Sequence, residues 1–157
     1  MSNIISLDNI IIVLLIGVVI FQRKEINSHN RAKERLNKYY KLLNIWLYQK
    51  NNNKSIGEYI RDKNYKRIAI YGMGEIGGRL YEELKLSGIK VEAFIEKETG
   101  DYTHGYGETP LISIEELGLY DFDIIIVTPI FDFKNIYESI KRLNEKFDII
   151  SIEELIK

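Results

Sequence analysis

The chain contains no cysteine, which excludes a disulfide framework, a thiolate metal site and a cysteine nucleophile. Histidine is almost as scarce. His29 and His104 are widely separated, and scattered carboxylates around them make no metal-ligand spacing. His104 lies in the loop ETGDYTHGYGET, 98 to 109, without an accompanying acid or nucleophile, so it reads as a solvent-exposed loop residue. The letters of a Tyr-x-x-x-Lys dehydrogenase or epimerase pair occur at Tyr81 and Lys85. They fall on the helix that follows a glycine loop, not beside a nicotinamide, and so read as a surface pair. No catalytic constellation is identifiable.

Positive charge is not in surplus overall, the formal net charge being −1, but the chain is divided. Residues 22 to 66 carry +8 and residues 67 to 157 carry −8. Two halves of opposite sign point to two jobs. Aromatics among basic residues in the first half do not indicate nucleic acid, because a basic segment beside a membrane needs no such partner and the rest of the chain is acidic.

A long unbroken apolar run is also missing. Ile10 to Phe21 is twelve apolar residues, and Ile4 to Phe21 is eighteen interrupted by Ser6, Asp8 and Asn9. Eighteen helical residues cover about 27 Å against a hydrocarbon core of roughly 30 Å, a marginal span. A secretory signal would need its positive charge before the apolar run. Here only Asp8 precedes it, while Arg23, Lys24, Arg31, Lys33 and Arg35 follow. Residues 1–21 are therefore expected to be a single membrane anchor, with the N-terminus outside and the basic side and all that follows in the cytoplasm.

Residues 22–54 form the expected juxtamembrane segment. Between Asn30 and Lys50, Ala32, Leu36, Tyr39, Leu43 and Trp46 or Leu47 recur at spacings of three and four, one apolar stripe on a basic helix. Three uses are open: packing on the following domain, pairing with a second copy as a short coiled coil, or lying on anionic lipid through residues 23–50. Asn51 to Lys54 is a polar linker, and Ser55 and Glu58 have capping-box spacing. The folded domain is expected over 55–157.

From Arg67 onward, short apolar runs alternate with helical periods, the pattern of an α/β, doubly wound, mostly parallel sheet of about five strands. The strands are expected at 67–71, 91–95, 111–112, 123–128 and 147–150, with helices at 75–87 and 132–145. ISIEEL occurs at 112–117 and again at 150–155, each a strand end running into a serine-capped helix start.

Glycine is concentrated where it matters. Gly72, Gly74 and Gly77 form G-x-G-x-x-G between the first strand and its helix. In that setting Gly72 makes the tight turn, Gly74 admits a diphosphate close to the backbone, and Gly77 lets helix and strand pack closely. Met73, Glu75 and Ile76 complete the loop, whose helix offers N–H groups and the positive end of its dipole to phosphate. Glu96 ends the second strand 24 residues after Gly72, near the position of a carboxylate that accepts from ribose hydroxyls. This favours NAD or a similar ribonucleotide over NADP. Thr128 and Pro129 end the fourth strand across the switch point and are candidate contacts.

YKRIAIYGMGEIGGRLYEELKLSGIKVEAFIE and ETPLISIEELGLYDFDIIIVTP resemble the small NAD(P)-binding Rossmann-like domains of bacterial surface-polysaccharide pathways. Similar domains begin sugar-nucleotide acetyltransferases and end some sugar C-methyltransferases. The resemblance covers about Ser55 to Lys157 and implies a domain that holds a nucleotide sugar while another domain does the chemistry. No such second domain is expected within these residues. The leading expectation is thus a membrane-tethered nucleotide-binding or sensing module for NAD or a nucleotide sugar, serving a polysaccharide-pathway partner or a homodimer. The alternatives are a small NAD-dependent oxidoreductase or nucleotide-sugar epimerase completed by a partner, and a ligand-free interaction scaffold.

Overall fold

The computed structural model describes residues 7–97 and 107–156, with side chains from Ile11 onward. Ile4 to Ser6 of the expected span, and His104, lie outside the described residues. The chain divides between Lys41 and Leu42 into two units.

The first unit is helical. Helix α1, Leu7–Asn51, begins in it and is continuous, whereas the sequence suggested an anchor followed by a separate basic helix. Gln22 to Asn30 are polar except for Ile26, but they include neither proline nor glycine, so nothing in them stops a helix already propagating. Each large apolar side chain from Ile11 to Phe21 is exposed. Among the described residues no helix is long and apolar enough to cross a membrane. Ile10 to Phe21 rises only about 18 Å, and Asn9 and Gln22 bound it. His29 lies 3.7 Å from Glu25 one turn earlier, both on the exposed surface.

The second unit begins at Leu42, so the last turns of α1 belong to the folded domain, ahead of the linker. Their buried side chains are Leu42 and Trp46, at 6% and 5% exposure. Leu43 and Leu47 from the expected stripe are exposed. Of the three uses considered for the basic helix, packing on the following domain is realised here, by Trp46 of the expected stripe together with Leu42. Helix α2, Ile56–Asp62, starts at the anticipated capping box: Glu58 N–H donates to Ser55 Oγ at 3.1 Å, and Ser55 N–H donates to Glu58 Oε2 at 3.3 Å.

Five strands follow: β1 Ile68–Tyr71, β2 Val91–Glu96, β3 Leu111–Ser113, β4 Ile124–Val127 and β5 Asp148–Ser151. They form one sheet in the order β3-β2-β1-β4-β5, and every pairing is parallel. The two strands flanking the reversal of order, β1 and β4, are buried at all four residues. A strand covered on both faces needs no polar alternation, which is why IAIY and IIIV read as unbroken apolar runs.

Alternate side chains serve opposite faces. Ala69, Tyr71, Ile95, Ile125 and Val127 join Ile136, Ile140 and Phe147 in one core cluster, under helix α4, Phe133–Leu143. Ile68, Ile70, Phe94, Ile124 and Ile126 point the other way, toward helix α3, Glu75–Leu86, whose Leu80 and Leu84 are fully buried. Gly88, at φ +71°, ends that helix, and Ile89 N–H closes back on Leu84 O at 2.8 Å. Both ISIEEL segments set a serine at a helix start, by different bonds. Ser113 N–H donates to Glu116 Oε2 at 2.7 Å ahead of the 3-10 helix Ile114–Leu119, and Ser151 Oγ accepts from Glu153 N–H at 3.3 Å ahead of α5, Ile152–Leu155.

Candidate functional site

The turn after β1 divides its three glycines among three physical tasks. Gly72 has φ +98°, a region that costs a side-chain-bearing residue about 1–2 kcal/mol. A Cβ there would also lie 2.6 Å from Thr128 Oγ1 and 2.9 Å from Pro129 Cδ. A Cβ on Gly77 would lie 1.9 Å from Gly72 O, so helix α3 leaves the strand by a path that only glycine permits. Gly74 is different: it has an ordinary φ of −71°, and a Cβ there would meet nothing within 4 Å. Its missing side chain leaves open space at the helix start.

Gly74 is the N-cap of α3 and supplies no side-chain hydrogen bond. Gly78 N–H makes a bond back to Gly74 O, at 2.9 Å. The earlier N–H groups of Glu75, Ile76 and Gly77 have no intrahelical acceptor by the geometry of a helix start. They carry the positive end of the helix dipole. Glu75 itself is exposed and Ile76 is half-buried.

The other predicted residues converge on the same turn. Glu96 Oε1 accepts from Met73 N–H at 2.6 Å, tying the end of β2 to the loop. Thr128 is buried, and its hydroxyl donates toward Tyr71 O at 3.0 Å and Gly72 O at 3.2 Å. Thr128 N–H also donates to Tyr71 O, at 3.0 Å. Thr128 and Pro129 thus act on the turn itself, fixing its carbonyls and walling Gly72. Tyr81 and Lys85 stand apart from the turn. Tyr81 is half-buried, its ring 5.5 Å from that of the buried Phe94, whereas Lys85 is exposed.

Beside the turn lies a cleft of about 620 Å³, on the sheet face that α4 covers, lined in part by Tyr71, Lys97, Ile114, Glu115 and the flank of α4 from Asp132 to Leu143. Burial, followed by the fields of Glu96, Glu115 and Asp132, pushes the Tyr71 phenol up from its ordinary value. These residues were not singled out from the sequence. A signal was available: Asp132, Asn135, Ser139 and Arg142 recur at spacings of three and four, a polar stripe on α4 beside its apolar one. Among the described residues no group of three or more His, Cys, Asp or Glu is arranged to hold a metal ion.

A family model described as C2185-like, N-terminal, matches residues 64–153, over half of the chain and the whole of the sheet. No curated protein matches the chain.

Proposed function

The chain belongs to the C2185-like, N-terminal family, and we propose that it is a membrane-tethered nucleotide-binding or sensing module whose glycine turn takes the diphosphate of NAD or a nucleotide sugar. The observation that carries this reading is the division of labour among the glycines. Gly72 and Gly77 are explained by local packing, but Gly74 is not: it stands in open space at an uncapped helix start. A vacancy of that kind suits an anion that must approach the backbone closely. The strand order, with the turn at the point where it reverses, is that of a dinucleotide-binding sheet and supports the same assignment.

The exposed run Ile11 to Phe21 supports the tether. Contiguous apolar surface on every side of a helix needs a covering medium, and the basic residues from Arg23 onward suit the cytoplasmic, anionic leaflet. In this reading the acidic domain works in the cytoplasm, for a partner in bacterial polysaccharide metabolism or for a second copy. One observation favours a ligand-free scaffold instead: Glu96 already occupies the Met73 N–H, so the loop is partly satisfied by its own chain.

Calorimetric titration of the full chain in detergent micelles with NAD, NADP and UDP-sugars separates the two. Saturable binding is expected, weaker for NADP than for NAD because Glu96 repels a 2′-phosphate. Gly74→Val should weaken it at least tenfold by filling the vacancy. Absence of binding, or affinity that ignores Gly74→Val, rejects the nucleotide reading in favour of the scaffold.

A further inference from the structure

The face of the sheet under α4 is covered unevenly. The connection from β3 to β4 contributes only a six-residue 3-10 helix, Ile114–Leu119, about 12 Å long at roughly 2 Å per residue. Helix α4, with eleven residues, is about 16 Å long. The cleft of about 620 Å³ lies between them, within the size range of small-molecule sites, about 300–1,000 Å³. Its floor is apolar and fixed, Tyr71 and Ile136 being 5% and 9% exposed. Its rim is polar. Asp132, Asn135 and Arg142 all come from one flank of α4, and the Arg142 guanidinium is already oriented, Nε donating to Glu138 O at 3.1 Å and Nη2 to Ser139 Oγ at 3.3 Å.

The cleft adjoins the glycine turn. Tyr71 immediately precedes Gly72, one Cα step or about 3.8 Å away. Lys97 follows Glu96, the residue bonded to Met73 N–H, so two residues that line the cleft are chain neighbours of residues in or bonded to the turn.

We propose that this cleft receives the glycosyl ring attached to a diphosphate seated on the turn, which makes the ligand a nucleoside-diphosphate sugar rather than a dinucleotide. The assignment rests on the nucleotide reading above and narrows it. A hexose presents an apolar C–H face and a rim of hydroxyls, each both donor and acceptor. Tyr71 and Ile136 give that face an apolar floor, Asp132 supplies an acceptor, Arg142 donors, and Asn135 both. The corresponding half of NAD is a nicotinamide riboside, with two ribose hydroxyls and a flat ring bearing a single amide, and would match less of that rim than a hexose, at a cost for each polar group left unpaired.

The test is calorimetric titration of the full chain in detergent micelles with UDP, GDP and dTDP, with the hexose conjugate of each, and with NAD. For at least one base the conjugate should bind at least tenfold tighter than the bare diphosphate. The double variant Asp132→Ala/Asn135→Ala should remove that gain and leave the bare diphosphate within twofold of its original affinity. Both side chains are exposed and Asp132 makes no capping bond, so the fold should persist, as far-UV circular dichroism verifies. The assignment is overturned if the conjugates bind no tighter than bare diphosphates, if the gain survives the double variant, or if NAD binds and no conjugate does. Failure of every diphosphate and of NAD to bind would instead remove the nucleotide reading, and this assignment with it.

Discussion

At the scale of single residues, the glycine turn separates packing from binding. Gly77→Ala places a methyl 1.9 Å from Gly72 O, a backbone atom that cannot step aside, and should cost about 3 kcal/mol in urea denaturation. Gly74→Ala meets only open space and should cost under about 1 kcal/mol. Glu83, 4% exposed, accepts from Trp46 Nε1 at 2.7 Å and Ile56 N–H at 2.8 Å, with Lys50 Nζ at 3.3 Å. Glu83→Ala strands two buried donors and should cost about 3 kcal/mol, with a red shift in the emission of Trp46, the one tryptophan in the chain. Stability should also depend on pH at both extremes. Hydrogen bonds from the Arg67 side chain, and from the backbone N–H groups of Arg67 and Lys66, hold Asp123 down at about 2. Its contribution is complete above the ordinary carboxylate value of 3.8 and disappears as pH falls through about 2. Burial, with the bond to Asp148, pushes Tyr65 up to about 12, so its contribution is complete below pH 10 and is lost as pH rises through about 12. Urea midpoints across pH should therefore lose their acid-limb slope in Asp123→Asn and their alkaline-limb slope in Tyr65→Phe. The glycines were legible because their spacing is tied to strand and helix. Glu83 was not: in YEELK a carboxylate reads as part of a solvated helix face, and only tertiary contact reveals the donors around it.

At the scale of elements, the strands declared themselves through apolar runs too short for helices, and β1 and β4 were the clearest because burial on both faces removes alternation. The Ser55 cap was equally plain, and Ser55→Ala should cost about 1 kcal/mol, read as a shift in the urea midpoint. Helix α1 was less legible. Leu42 and Trp46 make its buried face: Trp46 belongs to the stripe read from the sequence, but Leu36, Leu43 and Leu47 of that stripe are exposed, and periodicity alone cannot place the edge of the face that meets a neighbour. The polar stripe of α4 escaped notice for a related reason. On an amphipathic helix, polar residues are the default on the outer flank, and the cleft beside them exists because the β3–β4 connection is short, a property of the tertiary arrangement.

At the scale of the whole molecule, the charge divides the chain into a basic segment, residues 22 to 66, and an acidic one, residues 67 to 157; in the proposed reading the first meets an anionic surface and the second takes a diphosphate on the backbone of the glycine turn. Attachment is tested by alkaline carbonate: the full chain should stay in the membrane pellet, and release to the supernatant would count against the tether. The binding claim is tested most directly by ¹⁵N NMR of the full chain in detergent micelles during titration with NAD and a UDP-sugar. The amides of Gly74, Glu75 and Ile76 should show the largest shifts, and Met73 should move as its bond to Glu96 adjusts. If those amides keep their positions at saturating ligand, or the shifts cluster elsewhere, the glycine turn is not a diphosphate site.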